Sequence, residues 1–404
     1  MTPVQPRLRS LRSEAGFTMI EMLIATLIMV VVTGAMFDML NPASGTFNTQ
    51  PEVSDMQQRL RVGVDALQKD IVMAGAGTYV GATAGALYNF FAPVMPYRYG
   101  DTNEDPPGTF RKDAISIIYV PSTPAQTGVV GTVGKNSQEI NVTAQANCGP
   151  DKHDSLCGFK DGMRVLIFEP GGEWESTTVT QVQDEALKLQ HSGKLSTGYG
   201  GGAMLTQVAN HTYYLKEDNV TKTYQLMHYD GYLTDTPVVD DVVKLEFAYF
   251  GDSEPPRLLP GKCLTEDCPG PWTTYGPRPP ALGVPSAAGW PDGENCVFMV
   301  QNGAHTPRLP VLNGGGVGQA SLTEGMLKDG PWCPNDSSPN RYDADLLRIR
   351  RVRVNIRVQV SKPWMRGPAG VLFKYGGTAK PGIQQVPDQE IRFDISPRNM
   401  NLGR

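Results

Sequence analysis

Gly16-Phe17-Thr18-Met19-Ile20-Glu21 stands at the front of an apolar run that reaches about Leu40. From Phe17 to Leu40 the formal charges are Glu21 and Asp38 alone, and at 1.5 Å per residue these 24 residues make roughly 36 Å of helix, enough to cross a bilayer. Ahead of the run Arg7, Arg9 and Arg12 outweigh Glu14, the basic flank that stays cytoplasmic. An ordinary secretory signal or a plain anchor would account for flank and run. Glu21 fits neither. A carboxylate costs on the order of 2.5 kcal/mol or more in the middle of a membrane helix, less near its end, so it calls for a partner. A cut between Gly16 and Phe17 would create an amine one helical turn from Glu21, with an ordinary pKa of about 8 and hence a positive charge at neutral pH. Within one helix the two pair loosely. Between staggered copies of the helix they meet, and a slip of either copy would strand a carboxylate in an apolar core.

The stretch Gly16-Phe17-Thr18-Met19-Ile20-Glu21-Met22-Leu23-Ile24-Ala25 resembles the class III leader-peptide junction of type IV prepilins and type II secretion pseudopilins. That junction reads glycine, phenylalanine, Thr-Leu-Ile-Glu and a hydrophobic helix; Met19 stands where leucine is commoner, a volume-conserving exchange. The resemblance implies that a prepilin peptidase cuts after Gly16 and methylates the Phe17 amine, with Glu21 as the glutamate of assembly register.

The chain has 404 residues, of which 388 would remain after that cut, long for a major pilin. Its net charge of −5 would become −7 as three arginines and Glu14 leave, a balance that does not attract nucleic acid. Pro42, Gly45 and Pro51 predict an interruption of the helix over residues 41–51. Ser54 to Gln57 reads as a capping box, followed by one apolar stripe through Val53, Met56, Leu60, Val64, Leu67, Ile71 and Ala74. Arg61 with Asp65, and Asp65 with Lys69, are spaced as i,i+4 pairs.

Beyond Gly77 the pattern is that of strands, at 115–120, 163–169, 174–182, 208–216, 223–229 and 238–250. In 347–360 the apolar phase shifts at Arg350-Arg351, the mark of a β-bulge. Residues 251–340 hold fifteen of the 33 prolines and four of the six cysteines without a sustained period, which predicts an irregular excursion and not a second core. The expected class is α+β: a long amino-terminal helix packed on an antiparallel, pilin-like sheet domain with a Pro/Gly/Cys-rich insertion. Its parts would be a leader (1–16), a membrane or filament-core helix (17–40), a kink and amphipathic helix (41–77), a β-rich domain (78–250), the insertion (251–340) and closing strands (341–404).

Gln58-Arg59-Leu60-Arg61 through Asp70 to Gly75 resembles the post-anchor helix of PilW-type minor pilins. Lys112 to Ser116, Tyr213-Tyr214-Leu215, Val239 to Tyr249 and Arg398-Asn399 fit the same layout; the insertion does not. This resemblance implies a minor subunit whose partners are the prepilin peptidase, the major and other minor pilins, the inner-membrane assembly platform and a tip adhesin. It would sit in the inner membrane with its head in the periplasm, then reach the cell surface in a pilus.

Six cysteines in an exported chain favour disulfides, and separation suggests Cys148 with Cys157, Cys263 with Cys268 and Cys296 with Cys333. The alternative is zinc at Cys263, Cys268, Cys296 and Cys333, which no Cys-x-x-Cys knuckle supports. Asp101, Asn103 and Asp105 copy the first ligands of a calcium loop, but Pro106 takes the place of the turn glycine and Lys112 that of the closing acid. The five histidines, His153, His191, His211, His228 and His305, form no catalytic motif and read as ordinary surface or loop residues; with no cofactor signature either, a non-enzymatic protein is expected. Arg351, Arg353 and Arg357, with Arg348 and Arg350 nearby, read as a solvated outer sheet face, or else as a surface for an acidic partner or phosphates. A minor pseudopilin of type II secretion, and a secreted binding or hydrolytic domain on an ordinary anchor, are the alternative functions.

Overall fold

The computed structural model describes residues 16–77, 91–121, 125–145, 148, 155–169, 173–218, 220, 223–259, 273–286, 288–312, 318–366, 386–398 and 400, with backbone alone for 40–48. The leader residues 1–15, His153, the 170–172 turn, Cys263, Cys268 and Asn399 lie outside them. An amino-terminal apolar helix is followed by a globular antiparallel sheet domain, a mixed α+β fold that is mostly sheet.

The helix runs unbroken from Met19 to Met73, 55 residues. The interruption expected at 41–51 is absent, and with it the capping box at Ser54. Each proline removes one backbone hydrogen bond and crowds the preceding turn. Ending and restarting the helix would instead leave four donors and four acceptors without partners and require a new nucleus. The capping box forms at the true start, between Thr18 and Glu21.

The second half of the helix lays its predicted stripe on the domain: Met56, Leu67, Ile71 and Ala74 are buried, and Val53, Leu60 and Val64 pack against the same core. Gly63 permits close approach, since a Cβ there would stand 3.1 Å from Val239 and 3.3 Å from Ile356. Among the described residues the ion pair within this segment is Asp55–Arg59 at 2.9 Å, not those expected at Asp65, and Arg59 also reaches Asp241 at 3.0 Å.

Two sheets receive the helix. One has the strand order Gln319–Leu322, Val242–Asp252, Ile349–Val358, Gln389–Ile395; the other runs Val94–Met95, Ala114–Tyr119, Ala209–Asp218, Thr223–Tyr229, Asp235–Val239. A third sheet of six strands between Gln126 and Gln207 builds a separate apolar cluster around Val165, Ile167, Leu189 and Leu205. The sequence pattern marked only its central pair. Among its described residues the insertion makes no core of its own: Tyr275, Val297, Phe298, Leu309 and Leu327 enter the main one, and Gln319–Leu322 pairs with Val242–Asp252 as the edge strand of the first sheet.

Phe250 faces Arg351 whereas Gly251 faces Ile349, so Arg350 is the extra residue of the bulge. Gly251 is required opposite it, because a Cβ would come within 2.6 Å of the Arg348 carbonyl oxygen. The bulge divides the arginines. Arg351 and Arg353 remain near the surface, 3.3 and 2.7 Å from Asp394 and over the Phe250 ring, and Arg357 stands 3.6 Å from Asp388. Arg348 and Arg350 are 0% and 1% exposed, which corrects their expected place near a solvated face. Arg348 meets Asp345 at 2.7 Å and donates to the Pro310 carbonyl at 2.7 Å. Arg350 meets Asp252 at 3.0 Å and donates to the Leu347 and Ile349 carbonyls at 2.9 and 2.8 Å.

Removing one partner of a buried pair leaves an uncompensated charge. Asp252→Ala is therefore expected to destabilise the head by about 3–5 kcal/mol. Asp394→Ala, in a half-exposed pair, should cost about 1 kcal/mol or less. Denaturant midpoints of the two variants check the contrast.

Candidate functional site

Thr18 adopts extended backbone angles (φ −78°, ψ 151°) and caps the helix. Its hydroxyl oxygen accepts from the Glu21 N–H at 3.4 Å, while the Glu21 carboxylate accepts from the Thr18 N–H and hydroxyl, each at 2.9 Å. This arrangement satisfies donors that a helix start leaves open. It also holds the Glu21 carboxylate at the helix end nearest Phe17, where a new amine would be. Phe17 itself is 88% exposed, next to the bond that follows Gly16.

From Met19 to Met39 the helix is apolar except for Glu21 near its start and Asp38 near its end, and none of it is buried in the protein. Thr26 and Thr33 turn their hydroxyls back onto the Leu23 and Met29 carbonyls at 2.9 and 2.6 Å, which removes their donors from an apolar medium. The helix is long enough to span a bilayer, and the described residues of its own chain leave it uncovered.

The other residues singled out in the sequence go to separate places. Cys148 is bonded to Cys157, beside the six-stranded sheet, and Cys296 to Cys333, across 37 residues of the insertion. The calcium-like turn diverges: Asp101 pairs with Arg164 at 2.8 Å, whereas Asp105 accepts from the Arg98 N–H at 2.8 Å. Asp101 and Arg164, with Glu104, Glu175, Tyr99 and Asn340, line a polar cavity of about 150 Å³. Two clusters were not legible as sites: Asp70 with His211 and His228, and Asp329 with Asp343 and Asp345. The signal for the first was one histidine on each strand of the predicted 208–229 hairpin.

Asp343 is 1% exposed and accepts from the Gly330 and Asp345 N–H groups at 2.6 and 2.8 Å. Burial, aided by the charges of Asp345 and Asp329, raises its pKa from 3.8 to about 7. The folded state thus holds this proton more tightly than the unfolded one. Its stabilising contribution is complete below about pH 3.8 and is lost as the pH rises through about 7. Thermal midpoints measured from pH 4 to 8 should fall less steeply with pH for Asp343→Asn, which cannot ionise, than for the unmodified chain.

Comparison with known proteins places a match at the amino terminus. The family described as Prokaryotic N-terminal methylation motif matches residues 11–37. No curated protein matches the chain. Among solved structures it is similar to the Gp54 tailspike of Acinetobacter baumannii bacteriophage AP22, in complex with capsular saccharide, at 14% identity. That likeness covers 21% of this chain and 15% of the tailspike, with a TM-score of 0.16, and carries no argument about fold or function. The matched residues are those that hold Gly16, Phe17, the capped Glu21 and the exposed apolar span, so the chain bears the prepilin-type amino terminus and apolar helix of a type IV pilin-like precursor.

Proposed function

We propose that the chain is a minor pilin, a low-copy subunit that primes, caps or decorates a type IV pilus. The methylation motif, followed by a helix whose first half is bare and whose second half is embedded in a large sheet domain, carries this reading. A prepilin peptidase would cut after Gly16 and methylate Phe17. The subunit would rest in the inner membrane with its head in the periplasm until the assembly platform passes it to major and other minor pilins, with a tip adhesin as a further partner. Its work would be packing and register, with no catalytic group.

The physical step is an exchange of environments. An apolar helix leaves lipid for a bundle of like helices, and Glu21 leaves its cap to meet the methylated amine of a neighbouring copy. A misplaced copy would bury a carboxylate without a cation, at a cost of several kcal/mol, so the pair selects register. The size of the head favours a minor position, since it extends through three sheets and an insertion. A minor pseudopilin of type II secretion has the same amino terminus and is the second reading. Loss of surface pili on deletion supports the first; loss of exoprotein release with intact pili supports the second.

Mass spectrometry of the mature protein should show an amino terminus at N-methylated Phe17. An uncut Met1, or a cut near Ala43, would overturn the assignment. Glu21→Ala should leave membrane levels near normal while the subunit disappears from sheared filaments, and normal recovery there would remove the pairing role.

A further inference from the structure

Where the helix ends on the sheet, three side chains from three elements converge. Asp70 lies in the last helical turn, His211 on the strand Ala209–Asp218 and His228 on the strand Thr223–Tyr229. His211 Nδ1 and His228 Nε2 are 2.6 Å apart, Asp70 Oδ2 is 3.6 Å from His211 Nδ1, and one ligand atom from each residue falls within 4.8 Å of the others. The rings stack, with centroids 4.9 Å apart.

Two imidazole nitrogens this close need a proton or a cation between their lone pairs. Asp70 is 6% exposed, with the His211 ring beside its carboxylate. A buried carboxylate facing two imidazole nitrogens, all within 4.8 Å of one another, is a set of donors suited to a divalent ion of the zinc class.

The surroundings orient these donors. Tyr213 donates its hydroxyl to Asp70 Oδ2 at 2.6 Å. The Tyr119 hydroxyl lies 3.2 Å from His211 Nε2, and a proton on that nitrogen would leave Nδ1 free to ligate. Such outer partners are what fix the tautomer and angle of a metal ligand. The His211 side chain is 21% exposed, which gives an ion a way in.

We infer that Asp70, His211 and His228 form a binding site for zinc or a similar divalent ion, with a fourth position open to water. Nitrogens on a tetrahedral zinc at about 2.05 Å stand roughly 3.3 Å apart, so the two rings would part by about 0.7 Å on loading. The bound ion would join the end of the helix to two adjacent strands and stabilise the head in proportion to its concentration. This site stands independently of the proposed place in a pilus.

The mature full-length protein, purified in detergent without a polyhistidine tag and stripped with a chelator, should bind one equivalent of zinc chloride by calorimetry. Its thermal midpoint should rise with zinc. His211→Gln and His228→Gln should weaken binding by about 100-fold or more and abolish the thermal shift, while His305→Gln keeps both. Cobalt(II) added to the unmodified chain should give the visible absorption of a tetrahedral nitrogen and oxygen site, a measurement that stands even if a variant fails to fold. Absence of stoichiometric zinc uptake by the unmodified chain, or unchanged uptake by both glutamine variants, would overturn the site.

Discussion

A single helix has to satisfy two environments. Over Met19–Met39 it is apolar apart from Glu21 and Asp38 and left bare by the described residues of its own chain; over its later turns it is apolar along one stripe and meets two sheets. Apart from the two bonds that Pro42 and Pro51 remove, a helix keeps its backbone hydrogen bonds internal, which is why it can pass from one medium to the other without a change of structure. Two of the sheets hold the second half: Gly63 lets it come close to Val239 and Ile356, and Arg59 ties it to Asp241. A head attached along several turns would transmit the position of the first half to the whole domain.

One of the two register shifts in the head's longest strand pair brings charge into the core. The bulge at Arg350 turns this side chain into the core beside Arg348, which ends the 3-10 turn Ala344–Arg348; Asp252 neutralises the first and Asp345 the second, and backbone carbonyls take up further donors. Buried ion pairs of this kind add little net stability against an apolar alternative, because desolvation offsets their attraction. Their effect is to specify. Asp252 ends a strand that enters the insertion, Asp345 precedes the strand that leaves it, and Pro310 lies within it, so the pairs fix the path of a segment that has few regular hydrogen bonds. The Cys296–Cys333 bridge acts on the same segment by a covalent route.

Several elements could be read directly because their cause is local. The stripe from Val53 to Ala74, the hairpin near 208–229 and the phase change at Arg350 are periodicities, and the structure carries each of them in place. The break at Pro42 and Pro51 was a local argument defeated by cooperativity, since one helix loses fewer hydrogen bonds than two. The six-stranded sheet was largely hidden: Gln126–Gly128, Glu139–Asn141 and Lys188–His191 are too short to show a period, and pairing partners supply what the segments lack. His211 and His228 looked ordinary for a similar reason, because their neighbour Asp70 is more than a hundred residues away in the chain.

What the sequence by itself determined is the amino-terminal end. A glycine, a phenylalanine, a glutamate and an apolar run lie within a few residues of one another, and their pattern needs no fold to be recognised. What only the tertiary structure decided is which polar groups are buried and with whom. Arg348, Arg350, Asp343 and the Asp70–His211–His228 group owe their properties to distant segments, and desolvation depends on everything packed around a charge, not on the residues beside it in the chain.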